Sequence, residues 1–211
     1  MIRARLHQRK PERQIDCLTS TAWLASQDFM RVLGIDPGSE TTGWGVIDGD
    51  RRRYTLVEYG SIKTNANEKF ATRLLKICDA IEELIARFKP DSCALEDGFL
   101  KTNVRVTLKL GQVRGVAMLA AARAALEIHE YAPRLIKQTV VGYGNAEKHQ
   151  VQEMVRILLS LKTAPQPHDA ADALAVAICH FHHAGLNERI LATEARLKLS
   201  SSIATHRRTS R

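Results

Sequence analysis

The sequence lacks the features that mark several classes of protein. Its four cysteines form no CxxC pair, so free thiols are expected rather than a disulfide framework or a zinc site. No apolar run approaches the roughly 20 residues of a membrane span, and the basic first residues are not followed by the apolar core of a secretory signal. Internal repeats and low-complexity tracts are also missing. These absences predict a cytoplasmic protein without a membrane partner.

Positive charge is concentrated at the two ends of the chain. The formal net charge is +8, yet residues 1–30 carry five Lys and Arg against three acids, and residues 187–211 carry six against two. Basic tails attract the phosphates of nucleic acids, but many solvated tails are basic as well. Charge alone therefore leaves the partner open.

Periodic structure begins only at Met30. Residues 1–29 are predicted to be a disordered N-terminal extension, either a flexible arm or a segment upstream of a second possible start codon at Met30. Residues 30–186 are predicted to form one folded domain, and residues 187–211 a basic, flexible C-terminal tail.

Apolar periodicity and turn signals predict an α/β domain. Strands are expected at Arg31–Asp36, Gly43–Asp48, Arg53–Ile62, Ser92–Glu96 and Ile128–Tyr131. Helices are expected at Glu68–Phe88, Val104–Leu126, Arg134–Val141, Glu147–Leu161 and His168–His183, with Asn145 as the N-cap of the fourth. This order predicts a five-stranded mixed sheet with helices on both faces.

Four acids stand at the ends of predicted elements. Asp36 ends the first strand and Glu96 the fourth, while Asp169 and Asp172 begin the last helix three residues apart, and so share a face. Converging carboxylates need a cation, and hard oxygen ligands favour Mg²⁺ or Mn²⁺. Taken singly, the last two also suit any helix N-terminus, and Asp36 could belong to a turn. Glu96 follows an apolar strand, where a carboxylate without a partner is costly.

Five segments of the chain carry distinctive motifs. The first contains Gly-Ile-Asp-Pro-Gly and the last Asp-Ala-Ala-Asp-Ala-Leu-Ala; the five are Gly34–Val46, Leu108–Gly115, Lys137–Gly142, Ala146–Lys148 and Asp169–Ala175. Taken in this order, they resemble the RuvC family of Holliday junction resolvases. The likeness extends from about Met30 to His183. One such segment would be weak support, whereas five in the same order are strong.

The resemblance implies an RNase H-like fold for residues 30–186, a homodimer, and Mg²⁺-dependent nicking of two like-polarity strands in four-way junctions, leaving 5′-phosphate ends. It further implies two Mg²⁺ per site, with Mn²⁺ as a substitute, and RuvA and RuvB as partners. Lys137 and Lys148 match lysines at the scissile phosphate or DNA backbone, and Phe99 an aromatic presented to unstacked bases. The metal-binding acids would be Asp36, Glu96, Asp169 and Asp172.

Two positions depart from the family pattern. The family usually has Gln-Val-Phe after the second-strand glutamate, whereas this chain has Asp97-Gly98-Phe99, which adds a carboxylate and loosens the turn. His168 precedes the last acid pair; it is either an additional metal ligand, since some relatives carry a histidine in that helix, or a solvated loop residue.

The second predicted helix offers candidate contacts for DNA and for a second subunit. Lys101, Arg105 and Lys109 recur every four residues after Glu96 and are candidates for phosphate contacts, or an ordinary solvated face. Arg114 is a further DNA-binding candidate from the Leu108–Gly115 segment. On the same helix Gly111 and Gly115 permit close helix approach, either within one subunit or, as the family implies, in a dimer interface.

Other interpretations remain open from the sequence. Asp36-Pro-Gly with Gly43 also resembles the phosphate loop of actin-like phosphotransferases, but these need two such domains. A non-catalytic junction-binding protein would be expected to lack an acid, and a different RNase H-like nuclease would share the acids. The run Cys179–His183 suggests zinc but lacks a second ligand group at suitable spacing, so a helix end is favoured.

Overall fold

A five-stranded mixed sheet forms the centre of the domain in the computed structural model, which describes residues 29–50, 53–97 and 103–184. The strands are β1 (Met30–Asp36), β2 (Thr41–Gly49), β3 (Tyr54–Lys63), β4 (Ser92–Glu96) and β5 (Glu127–Tyr131), and the sheet order is β3-β2-β1-β4-β5. β1, β2 and β3 form an antiparallel meander, and β4 runs parallel to both β1 and β5. The predicted mixed sheet is confirmed.

Five helices accompany the sheet in the described residues. They are α1 (Phe70–Phe88), α2 (Val104–Arg123), α3 (Pro133–Val141), α4 (Lys148–Leu158) and α5 (residues 168–184). All five were predicted from the sequence, with small differences at their ends.

Two helix ends differ from the sequence prediction for local reasons. Asn145 is not the N-cap of α4; Glu147 is. In a capping box, its side chain accepts a hydrogen bond from the Gln150 backbone N–H, and the Gln150 side chain accepts one from the Glu147 backbone N–H. α2 ends at Arg123 rather than at Leu126, because Ala125 takes a left-handed conformation with φ 57°. The apolar character of the residues after Arg123 reflects the turn into β5, not continued helix.

Helices cover both faces of the sheet because side chains alternate along each strand. On β1, Leu33 and Ile35 pack against α1 and α2, whereas Val32 belongs to a separate buried cluster with α3, α4 and α5. Ala94 of β4 lies in the same cluster as Val32. Polar side chains that continue this second face toward the strand ends therefore point to the α5 side.

α5 rests directly on the backbone of the first two strands. A Cβ atom added at Gly34 would lie 2.1 Å from the carbonyl oxygen of Ala173, and one added at Gly43 would lie 1.9 Å from that of Asp169. Only glycine leaves room for this approach. This role of the two glycines was not predicted from the sequence, although both lie in the Gly34–Val46 segment.

Three of the four cysteines lie within the described residues. Within the described residues Cys78, Cys93 and Cys179 are free thiols, and the latter two are buried. Among the helices of that part of the chain, none is long and apolar enough to cross a membrane. Cys17 lies outside the described residues, as do residues 1–28 of the extension predicted at 1–29 and the whole of the tail predicted at 187–211.

Candidate active site

Asp36 and Glu96 lie side by side at the carboxyl ends of adjacent parallel strands. β1 and β4 pair from Val32 opposite Ser92 to Ile35 opposite Leu95, which places the two acids at the next position on each strand. Both continue the face that packs against α5. The Asp36 carboxyl is close enough to hydrogen-bond with Glu96. The neighbouring positions expected from the sequence are therefore present.

Asp169 and Asp172 reach the same strand ends from the first turn of α5. The contact at Gly43 seats the Asp169 backbone on β2, and Asp172 lines one cavity together with Glu96. The four predicted acids thus come from β1, β4 and α5 and lie together at the carboxyl ends of β1 and β4.

Electrostatics show how closely the acids crowd Asp36. Burial, then the charge of and a hydrogen bond with Glu96, and then the charges of Asp172 and Asp169 together raise the pKa of Asp36 to about 9. Each carboxylate disfavours ionisation of its neighbour. A cluster of four carboxylates is stable only with a bound proton or with positive charge nearby.

Lys148 supplies positive charge at this point. Its Nζ atom lies 2.8 Å from Oδ2 of Asp172, and the hydrogen bond to Asp172 raises the pKa of Lys148, with smaller contributions from Asp36 and Asp169. Lys137 lines the same cavity, whose volume is about 110 Å³. Its remaining walls are apolar and come from α3, α4 and α5: Pro133, Ile136, Val151 and Ala175.

The acids as they stand do not close around an ion. Within residues 29–50, 53–97 and 103–184, no group of three or more His, Cys, Asp or Glu side chains is arranged to hold a metal. In this arrangement Asp36 is hydrogen-bonded to Glu96, and Asp172 is paired with Lys148. The donor types nevertheless fit a hard divalent cation, because all four are carboxylates.

His168 is exposed to solvent, as expected, but it lies on a helix rather than in a loop. It is the first residue of α5, and its Nδ1 atom is hydrogen-bonded to Nε2 of Gln152. Gln152 is buried on α4, one turn after Lys148. The sequence analysis missed Gln152; its position beside the apolar Val151 and Val155, where a polar side chain needs a partner, was the available signal.

The basic candidates for DNA contact divide into two groups. Arg105 and Lys109 are exposed on α2, and the Lys109 ammonium lies 5.6 Å from the ring centre of Phe70 at the start of α1. Arg73 of α1 donates to the carbonyl oxygen of Ser39, just beyond Asp36. Lys109 is therefore near the same end of the sheet as the acids. Phe99 and Lys101 lie outside the described residues.

Arg114 is engaged by two acids rather than presented alone to solvent. Its guanidinium forms ion pairs with Asp97, at 3.2 Å, and with Glu130. The Asp97 backbone N–H donates to the carbonyl oxygen of Tyr131. The unusual Asp97 thus ties the end of β4 to α2 and β5, and DNA contact by Arg114 stays a prediction.

The histidines near the end of α5 have ordinary partners. His180 is buried between the Ser92 hydroxyl, 3.1 Å from Nε2, and the Tyr131 hydroxyl, 2.8 Å from Nδ1. His182 bonds to the hydroxyl of Tyr54, and His183 bonds to that of Thr139, the latter at 3.1 Å. The preference for a helix end over a zinc site agrees with these contacts.

Comparison with known proteins identifies the family. The family model for the crossover junction endodeoxyribonuclease RuvC matches residues 32–180. The chain belongs to the RuvC family. A RuvC from Chloroflexus aurantiacus is 47% identical over 160 residues, covering 76% of this chain and 98% of the relative. A RuvC from Heliobacterium modesticaldum is 50% identical over 153 residues, covering 72% and 94%.

A solved RuvC structure shares the fold. Thermus thermophilus RuvC in complex with a Holliday junction substrate superposes with a TM-score of 0.72 at 34% identity, covering 75% of this chain and 96% of that one. The predicted RNase H-like fold is confirmed, and so is the predicted RuvC family membership. An actin-like phosphotransferase is excluded by the same match.

Proposed function

We propose that this RuvC-family chain is a Holliday junction resolvase that nicks two strands of like polarity in four-way DNA junctions, in recombination and repair, and leaves 5′-phosphate ends. The observation that carries the proposal is the convergence of four carboxylates and two lysines at one end of the sheet. It is supported by relatives that are crossover junction endodeoxyribonucleases and by a solved relative bound to a Holliday junction substrate.

The metal would be Mg²⁺, two ions per site, with Mn²⁺ as a substitute. Bound ions would lower the pKa of an attacking water and stabilise the departing oxygen. The chain would hold them through its oxygen donors, which match the ligand preference of hard cations. These donors are Asp36, Glu96, Asp169 and Asp172.

The two lysines of the cavity and the exposed basic side chains of α2 would bind the DNA. Lys137 and Lys148 open on the same cavity as Glu96 and Asp172, so a phosphate bound there would meet positive charge that stabilises the transition state. Arg105 and Lys109 would add backbone contacts that fix orientation without reading sequence. Phe99, Lys101 and Arg114 remain candidates for further DNA contacts on the strength of the family resemblance.

The active form would be a homodimer that uses the outer face of α2. Val104, Leu108 and Leu119 are 69%, 63% and 54% exposed, and they share one face with Gly111 and Gly115. A Cβ added at either glycine would meet nothing within 4 Å, so packing within the described part of one subunit does not require glycine there. A two-fold dimer would present two sites to the two strands of a junction.

The expected cellular partners rest on the family resemblance, and the expected location rests on the features of the sequence. RuvA and RuvB are the expected branch-migration partners, and the cytoplasm is the expected compartment.

The decisive experiment compares a synthetic four-way junction with a plain duplex of the same sequence, with and without Mg²⁺. We expect symmetrically paired nicks in the junction only, and only with the metal. Equal cutting of the duplex would indicate a different RNase H-like nuclease. Junction binding without cutting in Mg²⁺ or Mn²⁺ would indicate a non-catalytic binding protein.

A further inference from the structure

The Lys148–Asp172 ion pair joins two helices at the candidate metal site. Lys148 opens α4 and Asp172 lies in the first turn of α5. The 2.8 Å contact engages a carboxylate that is only 17% exposed, whereas the lysine side chain is 66% exposed. The acid is therefore fixed in the site, while the lysine is a long side chain that can turn away into solvent.

A second contact between the same helices lies one turn further along α4. Gln152, four residues after Lys148, bonds to His168, four residues before Asp172. Because Gln152 is buried, this contact holds the start of α5 independently of Lys148. The lysine could leave Asp172 without releasing the turn that carries Asp169 and Asp172.

Charge explains why a cation belongs at this position. The four carboxylates repel one another unless positive charge offsets them, and the Lys148 ammonium also interacts with Asp36 and Asp169. Lys137 lines the same cavity from α3 with an equal charge, but the ion pair with Asp172 belongs to Lys148. A divalent cation ligated by Asp172 would compete with the Lys148 ammonium for this carboxylate, because Lys148 already contacts its Oδ2 atom.

We infer that Lys148 is an exchangeable counterion of the acid cluster, which a divalent cation displaces from Asp172 when it binds. The inference rests on the proposed metal site and adds a step to it. The displaced ammonium then lies at the rim of the cavity, where it is available to a DNA phosphate. Metal binding and the readiness of Lys148 for DNA are thereby linked.

The test measures Mn²⁺ binding rather than cleavage. Wild type, Lys148→Met, Lys148→Arg and Lys137→Met are treated with chelator, dialysed, and titrated with Mn²⁺ by calorimetry at low ionic strength. Lys148→Met removes the competitor, so its affinity should rise about threefold to fivefold, the range expected for a mostly exposed pair. Lys148→Arg keeps the charge and should stay within about twofold of wild type.

Lys137→Met is the matched control, since it removes one positive charge from the same cavity without removing the ion pair. The inference is overturned if both methionine variants gain affinity for Mn²⁺ equally. The gain would then come from the lower positive charge of the cavity and not from loss of the ion pair with Asp172. The inference is also overturned if Lys148→Met binds Mn²⁺ no more tightly than wild type. Failure of all four proteins to bind Mn²⁺ would instead overturn the proposed metal site, and the exchange with it.

Thermal unfolding in chelator supplies a readout without metal. Lys148→Met should melt about 2 °C below wild type, because the acids lose their counterion, and Lys148→Arg should restore the loss. Added Mn²⁺ should raise the Tm of Lys148→Met more than that of wild type. An unchanged Tm in chelator would show that Lys148 does not stabilise the acid cluster and would contradict the inference.

Discussion

At the scale of single residues, the four acids differ in how strongly their surroundings constrain them. Asp36 is buried beside Glu96 at the end of a strand, whereas Asp169 and Asp172 sit on a helix turn. The sequence predicted all four acids, because each lies at the end of a periodic segment. It could not predict Gln152 or the pairing of Arg114 with Asp97 and Glu130, because such contacts depend on how separate elements pack.

Neutralising any one acid should stop cleavage without preventing DNA binding. We expect the variants to lose about 100-fold or more in cleavage rate, as for other groups that stabilise a transition state electrostatically. Gel assays of nicking in Mg²⁺ and of mobility shift in chelator measure the two effects. The variants are Asp36→Asn, Glu96→Gln, Asp169→Asn and Asp172→Asn.

Asp79→Asn is the control for this series, because Asp79 is exposed on α1 and has no place in the site. It should cut at the wild-type rate. Any acid variant that keeps near wild-type cleavage in Mg²⁺ removes its residue from the proposed metal site.

His180 should make the fold sensitive to acid. Burial, with the nearby His129 and His183, lowers its pKa to about 4 from an ordinary 6.5. Between these two pKa values, His180 binds a proton in the unfolded chain but not in the folded chain. Its contribution to the free energy of unfolding is therefore fully present above pH 6.5 and is lost as the pH falls toward 4. The effect is on the order of 3 kcal/mol at most, and Tyr131 and Ser92 hold the neutral ring.

Denaturant unfolding between pH 4 and pH 8 measures this dependence. His180→Gln should lower stability at pH 8 but flatten its decline below pH 6.5. His149→Gln, at an exposed histidine of α4, should keep the wild-type slope. An equally steep decline in His180→Gln would assign the acid sensitivity to other groups.

At the scale of elements, the strands and helices followed from apolar periodicity, and their order predicted the mixed sheet. The sequence alone could not establish that β1 and β4 are neighbours, since tertiary packing decides which strands pair. The close seating of α5 on β1 and β2 was not predicted. It depends on Gly34 and Gly43 facing a particular helix, which periodicity does not encode.

Gly43→Ala should impair cleavage through the position of α5. A Cβ there would lie 1.9 Å from the Asp169 carbonyl oxygen, so the first turn of α5 must shift, at a cost of about 1–3 kcal/mol. Cleavage should fall further than this loss of stability explains, because displaced acids misplace the ions. Nicking rates at a temperature where the variant remains folded, beside its melting curve, separate the two effects.

Ser61→Ala is the matched control, since Ser61 pairs with Gly43 across β2 and β3. This substitution makes the side chain smaller instead of larger. It should retain cleavage. Wild-type nicking by Gly43→Ala would mean that α5 accommodates the methyl group without moving its acids.

At the scale of the whole molecule, the outer face of α2 is the feature that one subunit does not use. Gly111→Leu should weaken dimerisation and uncouple the two nicks, because a bulky side chain would hold the partner away. The proposed metal ligands lie elsewhere and should remain intact. Sedimentation at micromolar concentration, together with nicking of a junction in a supercoiled plasmid, measures both effects.

His149→Leu adds the same side chain at an exposed position of α4 and should leave the dimer unchanged. Wild-type monomers that still make paired nicks would defeat the dimer proposal. Unfolding of Gly111→Leu, checked by circular dichroism, would instead show a packing role for the glycine within one subunit.

A chain that starts at Met30 should fold and cut like the full chain. β1 begins at Met30, and Phe29 before it is 67% exposed, so the sheet needs nothing earlier. Melting temperature and junction cleavage of the shortened and full chains test this. A lower melting temperature of the shortened chain would show that residues 1–29 contact the domain.

The position of α5 late in the chain also determines when, during translation, the four acids can come together. Two of the four acids lie on α5, which follows every strand of the sheet in the chain. A nascent polypeptide that has emerged only as far as α4 carries Asp36 and Glu96 without their counterparts. If the four acids form the proposed metal site, chains that end before α5 should be inert, and nuclease activity should appear only when the last helix docks.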